Sequence, residues 1–151
     1  MKISIGCDHG GFLLKEEIKK YLINEGINVL DKGCYNLDRV DYPIYAKDVS
    51  IDVSTGVSDF GILICTTGIG MSICANKVKG IRAALVGNEE ASKLTREHNN
   101  SNVLCLGAKF TGKDEAIKIV DIFLKQKFDG DINKNSRHIQ RVNLIKRMEE
   151  N

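Results

Sequence analysis

GILICTTGIGMS, at residues 61–72, runs an apolar strand directly into a turn that carries a cysteine and is broken by two glycines. The continuous apolar run at residues 60–65 is typical of a strand buried on both faces. Gly68 and Gly70 allow the backbone to turn tightly and to expose its N–H groups. A helix is predicted at residues 71–77, with its positive end facing the same turn. The pattern therefore predicts an anion-binding loop at the end of a central strand.

Short β-branched segments alternate with amphipathic segments along the chain. Strands are predicted at residues 2–7, 29–30, 60–65, 82–86 and 103–106. Helices are predicted at residues 11–25, 43–56, 71–77, 89–97 and 113–127. This alternation implies right-handed βαβ crossovers and a parallel sheet that is covered on both faces. We expect an open α/β sheet of about five strands, followed by a C-terminal helical tail.

Composition indicates one globular domain over residues 1–151. The chain is 42% hydrophobic and 28% charged, which suits a single core and leaves little room for a second. With 22 basic and 20 acidic residues, the net charge is +2, and neither sign forms a long run. This balance argues against nucleic acid or an anionic membrane as the main partner. Charges at Lys2 and Asp8 are unlike a signal peptide or a membrane span, so we expect a cytoplasmic protein.

The five cysteines show no paired CxxC spacing, so neither a zinc site nor a redox motif is predicted. An odd number of cysteines favours free thiols, most of them small core residues. They are Cys7, Cys34, Cys65, Cys74 and Cys105. Cys65 differs from the others because it ends a strand at the point where a turn begins.

Three polar or glycine-rich turns follow three of the predicted strands, at residues 8–11, 65–70 and 107–109. In an open parallel sheet, ligands bind outside the carboxyl ends of the strands, near the point where the strand order reverses. All three turns emerge at that edge. We therefore expect them to meet in space although they lie far apart in sequence.

The segment from residue 129 to residue 151 has a different character. Residues 129–136 are polar and turn-prone, so a loop is predicted there. Arg137 and Arg141 follow, four positions apart on one predicted helical face. Two interpretations stay open for this pair: a solvated face with ion pairs, or a phosphate clamp, because guanidinium forks suit phosphate oxygens.

Seven short motifs extend along nearly the whole chain: Gly6-Cys7-Asp8-His9-Gly10-Gly11, Asp41-Tyr42-Pro43, Cys65-Thr66-Thr67-Gly68-Ile69-Gly70, Ala75-Asn76-Lys77, Gly80-Ile81-Arg82-Ala83, Arg96-Glu97-His98-Asn99 and Arg137-His138-Ile139-Gln140-Arg141-Val142. Together they resemble the ribose-5-phosphate isomerase B family, which also includes the subunits of galactose-6-phosphate isomerase. Their order makes the resemblance far more specific than a single glycine loop. It implies an aldose–ketose isomerase on a Rossmann-like fold that works on a sugar phosphate without metal or nucleotide cofactor.

The resemblance assigns the proton transfers of that reaction to the turn after the third strand. Cys65 would be the base that moves the carbon-bound proton. Thr67 would pass a proton between the two substrate oxygens. An anion hole for the enediolate would come from the backbone amides of Thr66, Thr67, Gly68, Ile69 and Gly70. The alternative for Cys65 is an inert core thiol, and the alternative for Thr67 is a turn or cap residue.

The other roles fall on residues distant in sequence from this turn. By resemblance, His98 is the ring-opening acid and Asn99 contacts the substrate, whereas a lone histidine at a helix end is otherwise a surface charge. Asp8 and His9 would hold substrate hydroxyls and phosphate respectively, although Asp8 could equally cap the following helix. Tyr42 would line the substrate pocket or serve only in packing.

The resemblance also implies a homodimer with shared active sites. Five residues would reach the active site of the partner subunit: His98, Asn99, Lys109, Arg137 and Arg141. The physical reason is that a small open sheet provides one wall of a pocket, which a second subunit can close against water. The tail at residues 129–151 would pack on that partner.

Three departures from the usual family pattern affect the expected substrate. Thr66 stands where glycine is typical, so a side chain enters the loop. Lys109 replaces an arginine and keeps the charge without the bidentate fork. Asn135 and Ser136 replace paired glycines after a loop that is longer than usual. The chemistry is left intact, but phosphate placement and sugar length are open.

Three functional hypotheses follow. The first is a ribose-5-phosphate isomerase, favoured because Cys65, Thr67 and His98 are all present. The second is an isomerase of a hexose phosphate such as galactose 6-phosphate or allose 6-phosphate, which a longer tail loop could suit. The third is a non-catalytic sugar-phosphate-binding subunit, for which a complete proton-transfer set would be unnecessary.

Overall fold

A five-stranded parallel sheet organises the computed structural model, which describes residues 1–150. Its strands are β1 Lys2–Cys7, β2 Asn28–Asp31, β3 Phe60–Cys65, β4 Ala83–Leu85 and β5 Val103–Gly107. They lie side by side in the order β2-β1-β3-β5-β4. The central strand, β3, pairs with β1 on one side and with β5 on the other. The predicted Rossmann-like α/β sheet is confirmed, and so is the central position of the apolar strand.

Helices cover both faces of the sheet, as predicted. They are α1 Phe12–Asn24, α2 Tyr42–Ser54, α3 Ile69–Ala75, α4 Glu89–Asn99, α5 Lys113–Lys125, α6 Asp129–Ile132 and α7 Arg137–Met148. Helices α2 and α3 pack on one face, whereas α1 and α5 pack on the other with α4 beside α5. None of the helices within residues 1–150 is both long and apolar enough to cross a bilayer.

The prediction of a loop throughout residues 129–136 is wrong at its beginning, because Asp129–Ile132 forms the short helix α6. Gly130 is buried here against the side chains of Phe128 and Ile139, where a Cβ atom would collide with both. This packing holds residues 129–132 against α7. The polar composition of the segment does not predict such a contact. Ser136 then caps α7 by accepting a hydrogen bond from His138 N–H.

Each face of the sheet has its own apolar layer. Residues of alternate orientation on β3 and β5 contribute to both layers, which accounts for the continuous apolar run of β3, whereas β1 contributes to one layer only. All five cysteines are free thiols, as predicted. Cys7, Cys34, Cys65 and Cys105 are buried, and Cys74 is half-buried.

A buried ion pair joins α1 to the edge strand β2. The side chain of Lys15 is fully buried, and its Nζ lies 2.7 Å from both carboxylate oxygens of Asp31. Lys19 donates a further hydrogen bond of 2.7 Å to Asp31. Burial alone raises the pKa of Asp31, but the hydrogen bonds from Lys15 and Lys19 outweigh it, so the pKa lies below its ordinary value.

Asp31→Asn should lower the free energy of unfolding by about 3 kcal/mol at pH 7, because it removes the nearer and more buried of the two carboxylates that pair with the buried Lys15 ammonium and leaves only Glu16, at 3.0 Å. A carboxylate whose pKa is lower in the folded than in the unfolded protein stabilises the fold at pH values above its unfolded pKa of about 3.9. This stabilisation is lost as the pH falls through the folded pKa. Urea denaturation at pH 3–7 should therefore show that the free energy of unfolding changes less with pH in the variant than in the wild type. Asp38→Asn, on an exposed loop, is the control; identical behaviour of both variants would contradict the role given to Asp31.

Candidate active site

The turn after β3 is built around a glycine in the left-handed conformation. Gly68 has φ 76° and is the N-cap of α3. A Cβ atom at this position would lie 2.8 Å from the carbonyl carbon of Leu106, so the turn leaves no room for a side chain. The same tight turn directs Gly68 N–H to the sulphur of Cys65, at 3.0 Å.

Cys65 and its neighbour Cys105 have contrasting surroundings. Cys65 is 5% exposed, and within residues 1–150 it is the one cysteine whose sulphur accepts a backbone N–H. Cys105 lies in the same apolar layer. Burial raises the pKa of the Cys105 thiol and the neighbouring Cys65 adds to the shift, so Cys105 stays protonated at neutral pH. Cys65 is thus the thiol of this pair whose sulphur accepts a hydrogen bond from the backbone.

Beside Cys65 lies a cavity of about 420 Å³. Its lining comprises Asp8, Tyr42, Cys65, Thr66, Thr67, Ile69, Gly70 and Ile73. The first seven were all predicted from the sequence, and Gly68 adds the N–H described above. This group, without Ile73 and with Gly68, is called the Cys65 cluster below.

Two members of the cluster are held by close packing and capping. The ring of Tyr42 lies so near Gly70 that a Cβ atom there would be 2.6 Å from the ring. The Asp8 carboxylate accepts hydrogen bonds from Gly10 and Gly11 N–H at 2.9 and 3.2 Å. Asp8 therefore caps the 3₁₀ turn His9–Gly11, as the alternative interpretation predicted, and lines the cavity as well.

The two threonines of the turn have distinct environments. Thr67 Oγ1 accepts a hydrogen bond of 3.3 Å from Ile69 N–H, which holds the hydroxyl at the start of α3. The Thr66 hydroxyl occupies the space beside Gly10 that a Cβ atom would need. The loop thus accommodates the side chain of Thr66 because residue 10 has none.

The three turns meet at the carboxyl edge of the sheet, as predicted. Ala108 N–H donates to Cys65 O at 2.9 Å, and Lys109 N–H donates to Thr66 O at 3.0 Å. The Lys109 side chain is exposed, and Lys109 lies at this edge rather than with His98 and the two arginines, with which the resemblance groups it. His9 lines a neighbouring cavity rather than the one beside Cys65, and its Nδ1 accepts a hydrogen bond of 3.3 Å from Val40 N–H.

The remaining predicted residues lie at the opposite edge of the sheet. Helix α4 carries His98 and Asn99 and ends just before β5. The adjoining turn lies at the start of β3, because Gly61 N–H donates to Asn102 O at 3.0 Å. Cys65, in contrast, pairs with the last residue of β5. Five residues of β5 at about 3.3 Å each separate the two edges by roughly 16 Å.

At that opposite edge, the rings of His98 and His138 are stacked with centroids 4.3 Å apart and planes at 11°. Arg137 and Arg141 lie beside this stack on α7, and both are exposed. We call His98, Asn99, Arg137, His138 and Arg141 the His98 cluster. Within residues 1–150, the structure does not bring this cluster together with Cys65.

His138 is the member of this cluster that sequence reasoning missed, although it stands in the motif between the two arginines. Burial lowers its pKa, and the positive charges of His98, Arg137 and Arg141 lower it further against the opposing effect of Asp129. Glu97 Oε1 lies 3.7 Å from His98 Nε2. The sequence does not predict that His98 and His138 stack, because the two rings belong to helices that are distant in the chain.

No group of three or more His, Cys, Asp or Glu side chains within residues 1–150 is arranged to hold a metal ion. The chemistry available in the Cys65 cluster is that of a thiol, a hydroxyl, a carboxylate and backbone amides. The His98 cluster adds imidazole rings and two guanidinium groups.

Comparison with known proteins gives a family for this arrangement. The family model described as Ribose/Galactose Isomerase matches residues 3–145. Ribose-5-phosphate isomerase B of Escherichia coli (strain K12) is 45% identical over 149 residues, covering 99% of this chain and 97% of the relative. The galactose-6-phosphate isomerase subunit LacB of Clostridium acetobutylicum is 43% identical over 128 residues, covering 85% of this chain and 74% of the relative.

Solved structures agree with the sequence relatives. Ribose-5-phosphate isomerase B of Clostridium thermocellum has a TM-score of 0.95 and 46% identity, covering 99% of this chain and 98% of the other. The enzyme of Mycoplasma genitalium with bound ribulose-5-phosphate has a TM-score of 0.92 and 44% identity, covering 99% and 96%. Because the family model spans nearly the whole chain and full-length relatives share its fold, the chain belongs to the ribose/galactose isomerase family.

Proposed function

We propose that this chain interconverts ribose 5-phosphate and ribulose 5-phosphate through an enediolate, with Cys65 as the base. The observation that carries the proposal is the 3.0 Å hydrogen bond from Gly68 N–H to the Cys65 sulphur, which lies beside a cavity. This hydrogen bond holds the sulphur at the cavity, where a cysteine can act as the base that removes a carbon-bound proton. The relatives from Escherichia coli and Clostridium thermocellum are named ribose-5-phosphate isomerase B, which supports this substrate.

The proposed chemistry moves one carbon-bound proton and one oxygen-bound proton. The Cys65 thiolate takes the proton from C2 of the open-chain aldose, and the electrons of that bond form the C1–C2 double bond of the enediolate. Amides between Thr66 and Gly70 stabilise the negative oxygen. The Thr67 hydroxyl passes a proton from O2 to O1. The Cys65 thiol then returns its proton to C1, which yields the ketose and restores the thiolate.

Ring opening and phosphate binding require the His98 cluster. In the proposal, His98 donates a proton to the ring oxygen as the bond from that oxygen to C1 breaks, and the C1 hydroxyl releases its proton to solvent and becomes the carbonyl. Asn99 contacts the sugar, while Arg137 and Arg141 hold the phosphate. The two arginines are four positions apart on one face of α7 and both are exposed, which suits a dianionic ligand. On the side of the Cys65 cluster, His9 and Lys109 add phosphate contacts, and Asp8 binds hydroxyls.

The proposal requires a homodimer. The edges that carry the two clusters are roughly 16 Å apart along β5, so one chain cannot apply both to one sugar phosphate. A second copy solves this by bringing its own His98 cluster to the Cys65 cavity. The rim of that cavity supports such a contact, because Ile69 and Ile73 are apolar and 49% and 57% exposed. Five free thiols also fit a reducing compartment, so we propose a cytoplasmic location.

A hexose phosphate is the second candidate substrate. It is supported by the relative named galactose-6-phosphate isomerase subunit LacB and by the unusual residues Thr66, Asn135 and Ser136. Assays of the purified chain with ribose 5-phosphate, galactose 6-phosphate and allose 6-phosphate separate the two. Activity on hexose phosphates alone would reject the pentose proposal, and activity on none would favour a non-catalytic subunit.

Cys65→Ala should lower the rate of ribose 5-phosphate conversion by about 100-fold or more, because it removes the base for the carbon-bound proton. The matched control is Cys74→Ala, in which a half-buried thiol of α3 is removed and activity should persist. Initial rates of ribulose 5-phosphate formation, with thermal unfolding of both variants, provide the measurement. An active Cys65→Ala enzyme would reject the assignment of the base.

Gly68→Ala should lower kcat at least roughly tenfold, because a methyl group there collides with the Leu106 carbonyl and moves the N–H away from Cys65. Gly26→Ala is the matched control: its φ is 74°, and a Cβ atom would meet nothing within 4 Å. The control should lose about 1 kcal/mol of stability to backbone strain and keep its kcat. Equal kinetic effects in both variants would count against the anion-hole role of this turn.

Mixed dimers test whether the active sites are shared. Cys65→Ala and His98→Asn homodimers should each be nearly inactive. Co-expression of the two chains should restore about a quarter of wild-type activity, because half of the dimers are mixed and one of their two sites is intact. Separately purified variants that are mixed without subunit exchange are the control. Absence of any recovery in verified mixed dimers would contradict shared sites.

A further inference from the structure

The turn that leaves α4, residues 99–101, is held by an unusual set of hydrogen bonds. Asn100 adopts the left-handed conformation, with φ 48° and ψ 44°, and ends the helix. The carbonyl groups at such a helix end lack partners within the helix and depend on other donors. Here the donors are the guanidinium groups of two arginines, Arg82 and Arg96. His98 lies immediately before this turn.

Arg82 approaches the turn from the segment before β4. Its Nε donates to Asn99 O at 3.2 Å and to Asn100 O at 3.0 Å, and its Nη2 donates to Asn100 O at 2.8 Å. The main chain of Arg82 is anchored in turn, because its N–H donates to Asn102 Oδ1 at 2.8 Å. Asn102 Nδ2 donates to Gly80 O at 2.8 Å and ties the other end of this segment. Two adjacent carbonyl groups are thus held by one planar fork.

Arg96 holds the same turn from inside the protein. Its Nη1 donates to Asn100 Oδ1 at 2.8 Å and to Ser101 O at 2.6 Å. The guanidinium is 7% exposed and lies 4.7 Å from the ring centroid of Phe60 and 5.6 Å from that of Phe123. Burying this charge is costly, and its hydrogen bonds go to the turn after His98. The position of the turn is therefore set from both sides.

We propose that Arg82 is a positioning residue for His98. The inference rests on the proposed function, in which His98 opens the sugar ring in the partner's active site. Last turns of helices fray readily, and an acid that reaches across a subunit interface must be placed within a fraction of an ångström. Arg82 removes this freedom by fixing the carbonyls of Asn99 and Asn100, while stacking on His138 fixes the ring of His98.

The rates of two reactions at the same site distinguish a positioning role of Arg82 from a role in the overall stability of the protein. Conversion of ribose 5-phosphate requires ring opening. Exchange of the C1 hydrogen of ribulose 5-phosphate in D₂O does not, because the phosphate on its C5 oxygen prevents formation of a furanose ring. Exchange uses Cys65, the anion hole and the groups that bind the substrate, but it does not use the ring-opening acid. The ratio of conversion to exchange is therefore independent of the fraction of enzyme that is folded.

The variants are Arg82→Lys, which keeps the charge but not the fork, and Arg82→Gln, which loses both. Conversion should fall roughly ten- to hundredfold in each, while exchange stays within about twofold of wild type. Lys79→Gln, which removes an exposed charge from the same segment, should leave both rates unchanged. If Arg82→Gln does not fold, Arg82→Lys alone decides, with its fold verified by thermal unfolding.

His98→Asn is measured alongside as the reference. A lowered ratio in His98→Asn and in the Arg82 variants is the expected result. Equal losses of conversion and exchange in the Arg82 variants would make Arg82 merely structural and overturn the inference. A lowered ratio in His98→Asn only would overturn the inference but leave the proposed function standing. An unchanged ratio in His98→Asn would overturn the proposed role of His98 and this inference with it.

Discussion

Parallel pairing is the constraint on which the rest of this molecule depends. Because all five strands point the same way, every turn that follows a strand lies at one edge and every turn that precedes a strand lies at the other. Cys65 ends β3, whereas His98 belongs to the helix that leads into β5. The sheet therefore holds a thiol with its glycine turn at one edge and an imidazole pair at the other. A reaction that needs both groups needs two copies of the chain.

At both edges, contacts between side chains and the backbone fix the positions of the site residues. Gly68 directs its N–H to the sulphur of Cys65, and close packing at Gly70 seats the ring of Tyr42. At the opposite edge, Arg82 and Arg96 bind the carbonyls of the turn that follows His98. Backbone groups of a packed sheet move little, so the groups that they hold are preorganised.

Much of the fold was predictable because its signals are local. The apolar run of β3, the periodicity of α1 and α5 and the glycine turns all act within a few residues, and each prediction was confirmed within about two residues. Helix α6 was missed because its support comes from the packing of Gly130 against Phe128 and Ile139 rather than from its polar sequence. His138 and Arg82 were missed as site residues for the same reason: their partners lie on other elements.

The sequence by itself determined the α/β class, the convergence of three turns at the carboxyl edge and the presence of a thiol and two hydroxyls at Cys65, Thr66 and Thr67. These depend on residue type and on spacing within single segments. Only the tertiary structure decided which predicted residues share a cavity. It also decided that His98 stacks on His138 and that this pair lies roughly 16 Å from the Cys65 edge. The physical reason is that strand order and helix packing set distances between segments, and no spacing along the chain encodes them.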